Sequence, residues 1–112
     1  MTHRPPGRLA RAACALALAA LLSPTLSQAG EKEDRLRTRA LAATCAQCHG
    51  TDGRAVQGQP LVHLAGLPQD YILTQLMAFR SGQRPATIMH QITKGYSLEQ
   101  LETLAKYFAA QK

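Results

Sequence analysis

The sequence has no tryptophan, only two Phe and three Tyr, and three cysteines in 112 residues. No basic stretch is interleaved with aromatic side chains, so the net charge of +6 gives no sign of a nucleic-acid surface. No segment alternates apolar and polar residues long enough to suggest a β-strand. There is no internal repeat, and no low-complexity tract beyond the N-terminal region. Three cysteines, two of them close together, make no disulfide framework of the kind that staples small secreted domains.

The N-terminal region differs from the rest. Arg4, Arg8 and Arg11 precede and enter an apolar run from Leu9 to Leu22, which Ser23 and Pro24 end. Ser27 and Ala29 then stand at the −3 and −1 positions of a small-residue cleavage site. This is the layout of a secretory signal peptide over residues 1–29, with Cys14 inside it. The apolar run falls short of the roughly 20 residues that a spanning helix needs, and no other segment could cross a bilayer. The expected mature domain, residues 30–112, is therefore exported to the periplasm and does not span the membrane. It keeps ten Lys and Arg against seven acids, a net of +3. A chain this short needs a staple beyond its own core.

The remaining residues read as short helices joined by glycine-rich loops. A first helix is expected from Asp34, as its cap, to Thr44, with Cys45 to Cys48 as a last turn. Residues 50–66 are expected as loop. A second helix follows Pro68 and stops at Gly82, with Ile72, Leu76 and Phe79 as its apolar stripe and Leu73 and Met77 alongside. A short turn is expected over 86–93. Ser97 and Gln100 form a capping box at the head of the last helix, where Leu98, Leu101, Leu104, Ala105 and Phe108 recur at helical spacing. The fold class is all-α.

Cys45-Ala46-Gln47-Cys48-His49 carries the chemistry. Two thiols three positions apart on one helical turn can each form a thioether to one vinyl of a haem, and the histidine that follows is directed at the iron. This string is the attachment signal for a single covalent haem c, which also supplies the missing staple. A zinc site would need His63 and His90, which do not have the close spacing of small zinc modules. A thioredoxin-like pair would need strands, and a disulfide between Cys45 and Cys48 would stabilise the chain weakly. For the sixth iron position Met89 is favoured, because Met/His ligation is usual in electron-transfer cytochromes. Met77 reads as core filler, His63 as a loop residue, and His90 as the rival neighbour of Met89.

The mature chain resembles the class I cytochromes c, near the cytochrome c4 group. The likeness rests on Cys45 to Gly53, Leu64-Ala65-Gly66, Tyr71-Ile72, Gln75-Leu76 and Phe79-Arg80-Ser81-Gly82. The tail, Thr87-Ile88-Met89, Ile92 to Ser97 and Ala105 to Phe108, is similar to the cytochrome subunit of flavocytochrome c sulfide dehydrogenase. The resemblance implies a helical fold around one haem, with first and last helices crossing and with His49 and Met89 as axial ligands. It suggests Tyr71, Arg80 or Arg84 near the haem propionates. One departure stands out: the c4-like loop places proline two residues before Leu-Ala-Gly, whereas here Val62 holds that place and Pro60 lies two residues earlier. Either carbonyl is a candidate to support His49.

The expected function is electron transfer, as the haem subunit of a sulfide-oxidising flavocytochrome c. The flavin would sit on a separate flavoprotein subunit, since the chain has no G-x-G-x-x-G. Ile88, Ile92 and Tyr96 are candidates for an apolar contact with it, or simply for packing on the haem. The alternative is a free-standing soluble cytochrome c that shuttles electrons to a terminal oxidase or another periplasmic redox partner. Ligand sensing or haem-based catalysis would instead need an open iron position.

Overall fold

The computed structural model describes residues 28–58 and 62–112. Most of the expected signal peptide, Cys14 included, and Pro60 lie outside the described residues. The chain divides into two units, Met1–Arg35 and Leu36–Lys112. In the first, residues 28–35 are helical and run through the expected Ala29–Gly30 junction. Asp34 therefore lies inside helical residues and does not cap a helix. Its preference for a cap is local and is overridden where its neighbours on both sides are helical.

The second unit opens in helix α1, residues 36–43. Thr44 and Cys45 form a turn, and a separate one-turn helix α2 spans Ala46–His49. A 3-10 turn follows at Thr51–Gly53, in which Asp52 and Gly53 have positive φ. Helix α3 spans Gln69–Ser81, between Pro68 and Gly82, as the sequence predicts. Gly82 ends it in the left-handed conformation that an L side chain adopts only with strain (φ 79°). The expected turn over 86–93 is shifted: residues 86–88 are not helical, α4 is Met89–Ile92, and a 3-10 turn occupies Thr93–Gly95. Helix α5 spans Leu98–Ala109 behind a complete capping box, with Ser97 Oγ accepting from the Gln100 amide and Gln100 Oε1 accepting from the Ser97 amide. No strand occurs among the described residues.

α3 packs against α5 and α4. The buried cluster joins Ala42 of α1, Ile72 of α3, and Leu104, Ala105 and Phe108 of α5, so the first and last helices meet in one core. The 51–53 turn is fastened to that core by backbone. Gly53 O accepts from the Leu64 and Ala65 amides, and the Gly66 amide donates to Phe108 O. A Cβ on Gly53 would stand 2.7 Å from Phe108 Cδ1 and 2.9 Å from Leu64 Cβ, so only glycine fits. Met77, expected as core filler, is 37 % exposed and outside the buried cluster, because it lies on the edge of the α3 stripe. No helix among the described residues is long and apolar enough to cross a membrane.

Candidate functional site

A cavity of ≈ 320 Å³ is enclosed by α2, α3, α4, α5 and the loop after the first 3-10 turn. Cys45, Cys48, His49 and Met89 all border it. Its other walls are chiefly apolar: Leu64 and Leu67 from the loop, Ile72, Leu76 and Phe79 from α3, Ile88 and Ile92 beside Met89, and Leu104 and Phe108 from α5. The four residues singled out in the sequence thus come together, although Met89 is remote from the other three in the chain.

The local fold explains the attachment segment. Cys45 is the residue before α2, and Cys48 and His49 are in its single turn. The Cys48 and His49 amides both donate to the Cys45 carbonyl, at 3.3 and 2.9 Å. This winds the two thiols and the imidazole together. The Cys45 and Cys48 sulfurs are not joined to each other. Burial pushes the Cys45 thiol up from its ordinary value, against a smaller downward pull from the Thr44 hydroxyl; the adjacent Cys48 adds a little to the rise.

His49 Nδ1 donates to the Val62 carbonyl at 2.8 Å. The carbonyl left open by the sequence is therefore that of Val62, in the place where c4-like loops carry proline. With Nδ1 committed as donor, Nε2 is the nitrogen left with its lone pair for a metal. A backbone acceptor has no side-chain signature, so sequence patterns alone do not identify it.

The rival ligands are elsewhere. His90 borders a second groove, of ≈ 340 Å³, with Arg80, Arg84 and Lys94, and not the central cavity. Its Nδ1 is buried with no hydrogen-bond partner among the described residues. His63 and Met77 do not border the central cavity either. No cluster of three or more His, Cys, Asp or Glu side chains that could hold a metal ion occurs among the described residues.

Of the three suggested propionate neighbours, Tyr71 and Arg84 border the cavity. Arg84 stands 4.6 Å over the Phe79 ring and donates to Gln75 Oε1. Arg80 does not border the cavity. Its Nη1 donates to the Thr93 carbonyl at 2.8 Å and the Tyr96 carbonyl at 2.5 Å. Thr93, 1 % exposed, in turn donates its hydroxyl to the Met89 carbonyl at 2.9 Å. Of the apolar contact candidates, Ile88 and Ile92 border the cavity, and the Tyr96 hydroxyl is 2.7 Å from Thr44 Oγ1. The family-like segments contain Arg80 and Thr93, but nothing in the sequence pairs Arg80 with the Thr93 and Tyr96 carbonyls.

Paired thiols, a histidine with a fixed tautomer, a thioether and apolar walls make a donor set and a cavity that suit a covalently held haem. Comparison with known proteins agrees. The cytochrome c family model matches residues 37–111. The chain is 35% identical over 89 residues to the cytochrome subunit of sulfide dehydrogenase from Chlorobaculum tepidum, covering 80% of this chain and 79% of that one. It is 33% identical to cytochrome c-552 of Acidithiobacillus ferridurans, over 79% of this chain but 40% of that protein. The solved cytochrome c4 of Acidithiobacillus ferrooxidans superposes with a TM-score of 0.55 at 38% identity, over 59% of this chain and 38% of that one. From the family match and this likeness in both sequence and fold, the chain belongs to the cytochrome c family, and it is an electron-transfer protein with one covalently bound haem c.

Proposed function

We propose that Cys45 and Cys48 hold the haem through thioethers, that His49 Nε2 and the Met89 sulfur are its axial ligands, and that the protein works in the periplasm as the haem subunit of a sulfide-oxidising flavocytochrome c. The observation that carries the ligand assignment is the gathering of all four side chains around one apolar cavity. Haem c supplies a one-electron couple between ferrous and ferric iron, and a thioether ligand favours the ferrous form. The chain's own residues do the rest. The Val62 carbonyl orients the His49 ring. The Leu, Ile and Phe walls exclude water and keep the local dielectric low.

Export after cleavage at Ala29 accords with the composition of residues 1–29 and with haem attachment outside the cytoplasm. The sulfide-oxidising role is supported by the Chlorobaculum tepidum relative, which matches over most of its own length. The native protein should gain the mass of one haem, and that mass should survive denaturation and acid-acetone extraction. Loss of the haem on extraction contradicts the thioethers. Co-purification with a flavin-containing subunit at high salt supports the sulfide reading. Isolation as a lone monomer that reduces an oxidase favours the free-standing shuttle.

A further inference from the structure

Met89 is the first residue of a helix of only four residues, and no side chain caps that helix. One helical turn does not hold itself in place, because its single turn of hydrogen bonds barely offsets the ordering of the backbone. Something else must fix where the thioether stands. We propose that Arg80 is a positioning residue for Met89, acting through the carbonyls of Thr93 and Tyr96. The inference rests on Met89 being the axial ligand.

The connection is continuous. Arg80 is near the end of the thirteen-residue helix α3, which is anchored in the core by Ile72. Its guanidinium is part-buried and bridges the Thr93 and Tyr96 carbonyls. Thr93 passes the constraint on through its own hydroxyl to the Met89 carbonyl, in a setting that solvent does not reach. Tyr96 ties the far end of the same segment to Thr44, next to Cys45. The segment 89–96 is thereby held between α3 and the attachment turn. Bonds from a charged donor are about twice as strong as neutral ones, and the two N–H groups of the single Nη1 serve both carbonyls at once. Lysine keeps the charge but lacks the planar guanidinium that aims those two N–H groups.

The test uses ferric holoprotein, with free imidazole as the probe that competes with the Met89 sulfur. Arg80→Gln should bind imidazole about tenfold more tightly than the parent, the factor expected when one charge-assisted hydrogen bond no longer supports the native ligand. The weak red-edge absorption of thioether-bound ferric haem should vanish at correspondingly lower imidazole, and the reduction potential should fall. Arg80→Lys should recover part of the difference. Thr93→Val, which deletes the hydroxyl at nearly constant volume, should shift imidazole binding in the same direction.

A merely structural role would lower the urea midpoint and leave the potential and imidazole affinity at parent values. That result overturns the proposal. If Arg80→Gln yields no folded holoprotein, parent-like imidazole binding in both Arg80→Lys and Thr93→Val overturns it. The Met89→Ala background separates the two readings. Persistence of the red-edge band in Met89→Ala removes Met89 as the ligand, whatever Arg80 does. Loss of the band there, with no added effect of Arg80→Gln on imidazole binding, supports the coupling; a full tenfold effect in that background shows that Arg80 acts on something other than Met89.

Discussion

Two methionines of the same chemistry differ in what surrounds them. Met89 borders the central cavity, whereas Met77 is 37 % exposed on α3. Met89→Ala should open the sixth position, so that the reduced protein binds carbon monoxide and the potential falls. Met77→Leu should leave the visible spectrum unchanged and alter stability by less than about 0.5 kcal/mol, as surface substitutions usually do. A changed axial spectrum in the Met77 variant, with none in the Met89 variant, reverses the assignment. Residue-scale legibility was uneven for a physical reason. The Cys45, Cys48 and His49 motif is legible because it depends on spacing within one turn. The resemblance narrowed the His49 acceptor to Val62 or Pro60 without choosing, and the bonds of Arg80 were not readable, because these contacts join segments 13 or more positions apart through backbone acceptors that any residue supplies. Glycines divide similarly. Gly53→Ala meets Phe108 and Leu64 within 3 Å at a positive φ, whereas Gly82→Ala meets nothing within 4 Å. Thermal or urea unfolding should show a loss of about 2–4 kcal/mol at Gly53 and about 1 kcal/mol at Gly82.

Elements with strong local start and stop signals were the ones read most accurately. α3 lies between Pro68 and Gly82, and α5 begins at a capping box, so both bounds follow from nearby residues. The segment 86–95 has no capping side chain at the head of its helix, and it is bonded from outside by the Arg80 guanidinium of α3. Ser97→Ala should remove one half of the capping box and cost about 1 kcal/mol in a urea titration without changing the haem spectrum. A second link joins the 51–53 turn to α5, where the Tyr107 hydroxyl donates to Asp52 Oδ1 at 2.6 Å. Burial raises the Tyr107 pKa, the bond to Asp52 and its charge raise it further, and Arg39 and Arg54 pull it back. The folded state thus prefers the neutral phenol. The associated stability is present below about pH 10, the unfolded value, and is lost as pH rises through the higher folded value. Urea midpoints should fall across that window in the parent and less steeply in Tyr107→Phe. An identical slope in both removes Tyr107 as the cause.

At the scale of the molecule, the buried apolar set among the described residues is short: Ala42, Ile72, Leu101, Leu104, Ala105 and Phe108. Most other large apolar side chains of α3, α4 and the loop face the cavity, so the cofactor completes the core. Replacing Cys45 and Cys48 together by Ala should therefore leave little helical, protease-resistant protein. A well-folded double variant, by circular dichroism, contradicts this. Charge bears on the partner. Residues 30–112 carry ten Lys and Arg and seven acids, a net of +3, and two ionised propionates reduce it to about +1. A molecule so near neutrality has little long-range field with which to steer a transient encounter, whereas shuttles that depend on steering slow steeply as salt rises. A haem subunit in lasting contact with a flavoprotein has no need of steering and relies on apolar contact. Stopped-flow reduction of the haem by the flavoprotein subunit should accordingly fall by less than about threefold when ionic strength rises tenfold. A steep fall, like that of a strongly charged carrier, favours the free-standing shuttle and removes the charge argument for a docked subunit.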